Sequence, residues 1–578
     1  MKILTFASMA FFSAAIACGV LSAQPKKAET PDSPGEKIKL DKAAKKMPEH
    51  PYAPEEFRRP KGYKPTLYKL NLSRIAQEYS AQTIERGRNA YKKLCETNAN
   101  GKWKATPESI DSHKCPEWFV DAKFGIFIDW GLWSIPSWAP KREKGAMYPD
   151  WYEKRMYSNF DAKSPFWGYR NYHIKNWGAD FESDHFIPLF KAEKFDAKKL
   201  VGLFKDSGAK YVVPFNKHHS GFCLWDCSYT LRDTVDMAAK RDIVKEIVDE
   251  CSANGLKFGF YFSLTEWEYP ILGDDGTVSG NFSWGKMYPY TPDIEFKASG
   301  KIAVKDYVKE YLIPQTIEFI EKYSPDILWY DGEWKVPAAE LGSYDLSAYF
   351  YNINEGKKEV AVNDRYGEGT EAEVAHKKGK RLNKILRAVR GDFFTDEFGD
   401  TADSIDTSKY HPWESCRGIS QSYGNNWQDD DTNVLSSKAL ISMFAGIVAR
   451  GGNLLLLVNL DGQGAIPEVQ KRRLLDMGKW LEAYGEAIYG TRIVRPFDTK
   501  EAAYTRSKDG KFVYAVIKEA KPEIVLEVLP VSGSDIRELA GNAKIEWKKN
   551  KDGNSVTLAI PDGLAKRDLP FAVKIRVE

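Results

Sequence analysis

An apolar run that ends on a carboxylate is the first place in this sequence where chemistry could sit. Asp326-Ile327-Leu328-Trp329-Tyr330-Asp331-Gly332 reads as a buried strand stopping at Asp331, with Gly332 free to turn the backbone away. A carboxylate so placed can attack an electrophilic carbon or move a proton. The same pattern also suits a strand-terminating turn, because Asp-Gly is common turn chemistry. A second carboxyl about 5–5.5 Å away would make the first the nucleophile of a retaining glycoside cleavage. His218-His219 offers two imidazoles for proton transfer or metal binding. Adjacent side chains on a strand point to opposite faces, however, so the pair is not a ready-made ligand set. Cys95, Cys115, Cys223, Cys227, Cys251 and Cys416 are too scattered for a zinc pattern or a disulfide framework; Cys223 and Cys227 could pair if oxidised or equally stand as buried free thiols. No metal or organic cofactor is expected. From His376 to Arg390 stand seven Lys or Arg and no acid. That stretch suits a solvated helix face or a contact with an anionic, sulfated polysaccharide.

These groups need elements to hold them. Apolar runs recur at Phe124–Trp130, Tyr211–Phe215, Phe258–Ser263, Ile327–Asp331, Val360–Asp364 and Leu454–Leu460. Near-continuous hydrophobic runs of this kind suit parallel strands buried on both faces. Amphipathic stretches separate them, such as Asp236–Asn254, where Ile243, Val244, Ile247, Val248 and Cys251 share one stripe before Gly255. No glycine-rich phosphate loop follows the first strand, which disfavours a nucleotide-binding doubly wound sheet. Polar residues cluster instead at strand ends, as in a (β/α)₈ barrel whose chemistry lies at the C-terminal face. The expected fold is α/β: a TIM-like barrel over residues 113–492, then a small antiparallel β-sandwich over 493–578. The second part is predicted from short alternating runs at Phe512–Ile517, Ile524–Val528, Ala543–Trp547, Ser555–Ile560 and Ala572–Val577. Such a sandwich is expected to brace the barrel more than to bind sugar.

The rest of the chain sets limits. The 578 residues carry 84 basic and 81 acidic side chains, so the net charge of +3 gives no field for nucleic acid. The 17 Trp and 30 Tyr suit sugar stacking as well as core filling. Lys2, the apolar segment Ile3 to Leu21 and the small residues Leu21-Ser22-Ala23 read as a signal peptide over 1–23, with export to the periplasm or outside the cell. Lipid attachment at Cys18 is the weaker alternative, because Ala15-Ile16-Ala17-Cys18 is a poor lipobox. No later segment is apolar enough to span a membrane. Residues 24–112 read as a charged linker followed by a helical extension from about Leu70 to Leu94.

Several motifs together resemble the α-L-fucosidases of glycoside hydrolase family 29. They begin with Trp118-Phe119-Val120-Asp121-Ala122-Lys123-Phe124-Gly125-Ile126-Phe127-Ile128 and Trp130-Gly131. Gly208-Ala209-Lys210-Tyr211-Val212-Val213, Lys217-His218-His219 and Gly221-Phe222-Cys223-Leu224-Trp225-Asp226 follow. Then come Gly255-Leu256-Lys257-Phe258-Gly259 through Glu266-Trp267, Leu328 to Trp334, Val362-Asn363-Asp364-Arg365, Gly452-Asn453-Leu454-Leu455-Leu456 and Gly485-Glu486-Ala487-Ile488-Tyr489. The resemblance implies an exo-acting retaining α-L-fucosidase with Asp331 as nucleophile, acting through a covalent glycosyl-enzyme. It implies Glu397, in Thr395-Asp396-Glu397-Phe398, as acid/base, with Glu414 in His411-Pro412-Trp413-Glu414 as the rival. It makes His218 and His219 sugar-contacting and adds Trp225 and Arg365 to the pocket, although Arg365 also suits a structural ion pair. The carbohydrate partner would be a fucoside; the basic stretch, read from its charge alone, is either a solvated helix face or a contact with a sulfated fucan.

Two positions depart from the family pattern. Asp129 stands where a His is usual, and Asp150-Trp151-Tyr152 stands where Glu-Trp-Tyr is usual. An ionised Asp only accepts hydrogen bonds, so the sugar preference is expected to shift, for example toward α-L-galactoside, unless a neighbour such as Lys217 neutralises Asp129. A non-catalytic sugar-binding barrel is the remaining alternative, and the retention of Asp331 and Glu397 argues against it.

Overall fold

The computed structural model of the chain describes residues 79–141, 147–157, 167–178, 181–276, 278–280, 300–332, 336–367, 391–398 and 411–578. At its centre lie eight parallel strands: β1 Phe124–Asp129, β2 Tyr211–Lys217, β3 Lys257–Ser263, β4 Ile327–Asp331, β5 Ala361–Val362, β6 Phe394–Glu397, β7 Trp413–Gly418 and β8 Gly452–Asn459. Their order is β5-β4-β3-β2-β1-β8-β7-β6. A parallel bridge between Asn363 and Phe393 joins the two ends, so the sheet closes into a barrel. Inside it, Phe127 packs on Phe215 and Trp329 with ring centroids 4.6 and 4.9 Å apart, and Phe215 stacks on Tyr261 at 4.0 Å. Side chains two residues further along β1, β3 and β4 are Asp129, Ser263 and Asp331. The apolar layer therefore forms the floor beneath a polar mouth at the C-terminal strand ends.

Seven of the helices are α1 Ser80–Asn100, α2 Ala197–Asp206, α3 Ile243–Asn254, α4 Ile313–Tyr323, α5 Ser343–Asn354, α6 Ser437–Ala449 and α7 Glu468–Tyr484. Local chemistry fixes their ends. The side chains of Asp196, Asp242 and Ser436 accept from the amides of Lys199, Lys245 and Ala439 at 3.0, 2.8 and 3.2 Å, starting α2, α3 and α6. Helix α3 stops at Gly255, which takes the left-handed φ of 69°. It begins at Ile243 and not at the expected Asp236, because Asp233 accepts the amides of Val235 and Asp236 at 2.9 and 2.7 Å and so holds the chain in a turn first. Helix α1 lays Thr83, Ile84, Gly87, Leu94 and Asn98 on α4, α5 and the turn before α4.

The second part has strands β9 Arg492–Asp498, β10 Ala502–Arg506, β11 Phe512–Ile517, β12 Glu523–Leu526, β13 Ile536–Glu538, β14 Lys544–Lys549, β15 Val556–Ala559 and β16 Phe571–Arg576. They run antiparallel in the order β9-β10-β11-β16-β13-β14-β15-β12. Strand β14 pairs with β13 through Ile545 and with β15 from Glu546 onward, so it passes from one sheet to the other. Ile524, Ile536, Ile545, Leu558 and Ile575 are fully buried between them.

All six cysteines in the described residues are free thiols. Cys223 and Cys227 are not linked, and both sulfurs accept from Gln315 Nε2, at 3.3 and 3.1 Å. No helix among the described residues is long and apolar enough to cross a membrane. The expected signal peptide, the linker and the basic stretch 376–390 lie outside the described residues.

Candidate active site

Asp331 closes β4 in register with Ser263 of β3, at the mouth of the barrel. Gly332 follows with φ 75°, where an added Cβ would lie 2.6 Å from Ser263 Oγ, so the chain turns there only as glycine. Both carboxylate oxygens of Asp331 are held. Tyr261 Oη donates to Oδ2 at 2.5 Å, and Arg365 Nη1 donates to Oδ1 at 2.8 Å. The other end of the same guanidinium, Nη2, reaches Glu397 Oε1 at 2.7 Å, while Nε donates to Thr395 Oγ1 at 3.0 Å. Thr395 in turn donates through its amide and hydroxyl to Asp364 at 3.0 and 2.9 Å. Arg365 thus spans β4 and β6, bringing Asp331 and Glu397 onto one cation. The Asp331 side chain is 11% exposed and that of Glu397 is 36% exposed, so of the two Glu397 is the one more open to solvent.

Glu414 sits elsewhere. It is fully buried on β7, opposite Thr395, two residues below the level of Glu397. Tyr211 Oη donates to one oxygen at 2.5 Å and Trp329 Nε1 to the other at 2.9 Å, which places the carboxyl in the barrel floor under Trp329. Burial lifts it to about 7, with the two ring donors opposing.

The paired histidines both reach the mouth. Strand β2 ends at Lys217, with a register slip against β3 between Phe215 and Lys217, so strand alternation no longer governs His218 and His219. Their rings lie 4.0 Å apart, His219 Nε2 is 3.7 Å from Asp331 Oδ2, and His218 Nε2 is 3.5 Å from Asp150 Oδ2. Burial keeps both imidazoles neutral, holding His218 down at about 3 and His219 well below its usual range. Ser263 Oγ donates to the Thr265 carbonyl at 2.5 Å, so the same oxygen accepts from His219 Nδ1 at 2.6 Å. This makes Nε2 the lone-pair nitrogen, facing the cavity side of Asp331. Trp151 and Trp267 flank the pair, each partly exposed, with ring centroids 5.7 Å apart. Among the described residues, no three His, Cys, Asp or Glu side chains converge as a metal site.

Asp129 and Asp150 are both buried at this mouth. Trp133 Nε1 donates to Asp129 Oδ1 at 2.7 Å, and Asp129 Oδ2 and Asp150 Oδ1 have no hydrogen-bond partner among the described residues. Burial and the charge of Asp150 push Asp129 well above the carboxylate range. Burial raises Asp150 too, Arg155 opposes, and the charges of Glu397 and Asp331 add to the rise. Burial and Asp150 thus oppose the ionised form in which Asp129 is expected to act only as an acceptor, while the hydrogen bond from Trp133 favours it. Lys217 is not its partner, since that ammonium is buried 3.1 Å from Glu266 Oε1. Burial opposes ionisation of Glu266, but Lys301 and Lys217 hold it down at about 2.

Trp225 is not in the pocket. It is fully buried outside the barrel wall, edge-on to Phe260 of β3 and Phe319 of α4 at 6.0 and 5.1 Å, where it fills the strand–helix layer. Tyr261 and Trp267 take part in the site and were not singled out from the sequence. Tyr261 lies two residues before Ser263 on one strand face, and Trp267 directly follows Glu266 in a motif quoted above, so both signals were present.

Residues 90–486 match the α-L-fucosidase family model. The tissue α-L-fucosidase of Bos taurus is 30% identical over 463 residues, covering 79% of this chain and 87% of the relative. The plasma α-L-fucosidase of Homo sapiens is 31% identical over 430 residues, covering 73% and 80%. The crystal structure of Thermotoga maritima α-fucosidase in complex with fucose superposes with a TM-score of 0.64 at 31% identity, covering 82% of this chain and 100% of that one. With a family model spanning more than half of its length and relatives of this similarity, the chain belongs to the α-L-fucosidase family of glycoside hydrolases.

Proposed function

We propose that the protein releases terminal α-L-fucosyl residues from glycans by a retaining double displacement, with Asp331 as nucleophile and Glu397 as acid/base. The observation that carries this reading is the single guanidinium of Arg365, hydrogen-bonded to both carboxylates across the barrel mouth. Arg365 and Tyr261 hold both Asp331 oxygens in place, so little reorganisation is needed as one of them moves onto the anomeric carbon. Glu397 is open to solvent, as a group must be that protonates a leaving oxygen and later takes a proton from water. His219 Nε2 accepts a sugar hydroxyl, Asp129 meets another, and Trp151 and Trp267 pack on the apolar C–H faces of the ring. Export through the N-terminal segment belongs to the same reading, as does contact of the basic stretch 376–390 with a sulfated fucan.

The test follows the anomer released from an aryl α-L-fucoside by proton NMR in the first minutes. Retention gives α-L-fucose first, which then mutarotates. Initial release of the β anomer would overturn the double displacement.

A further inference from the structure

A second cavity opens on the same end of the barrel, on its β7, β8 and β1 side, and nothing in the catalytic reading uses it. Its volume is about 470 Å³. Ser134 and Ser137 enter from the loop after β1, Asn425 and Trp427 from the loop after β7, and Asp461 and Gln463 from the loop after β8. Ser134 is fully buried, yet its hydroxyl has no hydrogen-bond partner among the described residues. A buried polar atom left without a partner is costly unless a ligand or water completes it. Nearby, Asn425 Nδ2 donates to Ser137 Oγ at 3.0 Å, and Asp461 Oδ1 accepts the amides of Gln463 and Ala465, each at 2.9 Å. These bonds fix the rim, so the cavity is a built one and not a gap between loose loops. Trp427 is partly exposed and is held by donating its indole N–H to Tyr172 Oη at 2.9 Å.

We infer that this cavity binds a neutral saccharide, at a site separate from the catalytic pocket. Serine hydroxyls, carboxamides and carboxylates around a fixed indole are the groups that pair with sugar hydroxyls while the ring covers a C–H face. Charge selects the class. Asp429, Asp430, Asp431, Asp461 and Glu468 line the cavity against only Lys194 and Arg472. That balance repels sulfated or uronic polymers and favours hydroxyl donors. The same carboxylates do not converge as a metal site among the described residues. The volume has room for one or two sugar rings, within the usual span of roughly 300–1,000 Å³ for small-ligand sites. Trp133 turns its indole to Asp129, while the adjacent Ser134 lines the second cavity, whose lining shares no residue with the catalytic reading.

The experiment uses full-length protein with L-fucose in excess, so that the catalytic pocket is filled. Saturation-transfer NMR and calorimetry are run against neutral β-linked tetrasaccharides of galactose, glucose, xylose and N-acetylglucosamine, with sulfated fucan as the anionic comparison. At least one neutral tetrasaccharide should bind, at least tenfold more weakly to Trp427→Ala and measurably more weakly to Ser134→Ala. Melting temperatures identify any variant that has lost its fold. Should Trp427→Ala do so, Ser134→Ala, which removes one oxygen, decides. No binding by any neutral saccharide, binding unchanged in Ser134→Ala, or displacement of the neutral ligand by sulfated fucan would each overturn the inference.

Discussion

Asp331 is held by two donors, Tyr261 and Arg365, which fix both of its carboxylate oxygens at the barrel mouth. Removing it deletes the covalent route, so Asp331→Gly is expected to lose several orders of magnitude in kcat on an aryl α-L-fucoside. Added azide enters the vacated space and yields β-fucosyl azide, seen by NMR; near-normal turnover without azide would exclude Asp331 as the nucleophile. Glu397 and Glu414 separate by the kind of damage their loss does. Glu397→Ala should slow poor leaving groups far more than activated aryl fucosides, and azide should restore turnover with retained configuration. Glu414→Ala leaves the Tyr211 and Trp329 donors buried without partners, at about 1–3 kcal/mol each, so it should lower stability with no leaving-group dependence. Glu414 also titrates in a direction that can be checked. Its carboxyl is held up at about 7 against an ordinary 4.5, so its contribution to stability is complete below 4.5 and is lost as pH rises through 7. Glu414→Gln cannot ionise and should gain on wild type between pH 4.5 and 8, by at most ~3 kcal/mol, in melting curves. An unchanging difference across that range would refute this.

The elements deliver these residues through their ends. Strand β2 stops at Lys217, and that is why both histidines reach the mouth. Strict alternation describes the strand itself and stops applying one residue beyond it. Strands β1 to β4 and β8 were legible because both their faces are buried, so the sequence shows continuous apolar runs. Strands β6 and β7 were not. Phe394-Thr395-Asp396-Glu397 and Trp413-Glu414-Ser415-Cys416-Arg417-Gly418 carry their polar side chains inside the barrel or at its mouth, which erases the hydrophobic signal. Glu414 entered as the rival acid/base through the resemblance, and its partners lie in the floor. Trp225 misled as well, since a Trp in a family motif serves here as packing. Helix α1 shows how tightly an outer element is seated. An added Cβ at Gly87 would lie 2.4 Å from the Glu310 carbonyl oxygen, in a backbone contact that no rotamer relieves. Gly87→Ala should therefore destabilise by about 1–3 kcal/mol, as overpacking does, despite its better helix propensity. A melting temperature equal to or above wild type would show that α1 can shift away freely.

At the scale of the molecule, the question is why a barrel that closes on itself carries a second β-structure. Helix α6 gives the answer in its composition. Leu440, Ile441, Phe444, Ala445, Ile447 and Val448 are all fully buried, so the helix is apolar around most of its circumference. One side meets β8, and the other meets β9 and β10. A helix apolar all round needs cover on both sides. Polar contacts pin that cover in place. Arg450, just past α6, donates to Asp498 at 2.8 Å, Trp480 Nε1 donates to the Pro570 carbonyl at 2.7 Å, and Thr505 donates to the Ala487 carbonyl at 2.7 Å. The second part therefore acts as a lid on the barrel's own core. A chain ending at residue 492 should expose the outer stripe of α6 and strand Arg450 and Trp480 without their partners. It should be recovered as aggregate, or melt well below the full chain, with fucoside hydrolysis lost in proportion to the folded fraction. If the sandwich served only to hold carbohydrate, the shortened chain would stay soluble, melt at the same temperature and hydrolyse an aryl fucoside with unchanged kcat/KM, losing only affinity for polymeric substrate. Soluble yield, thermal melting and kcat/KM on one small and one polymeric substrate separate the two outcomes, and an unchanged melting temperature would refute the bracing role.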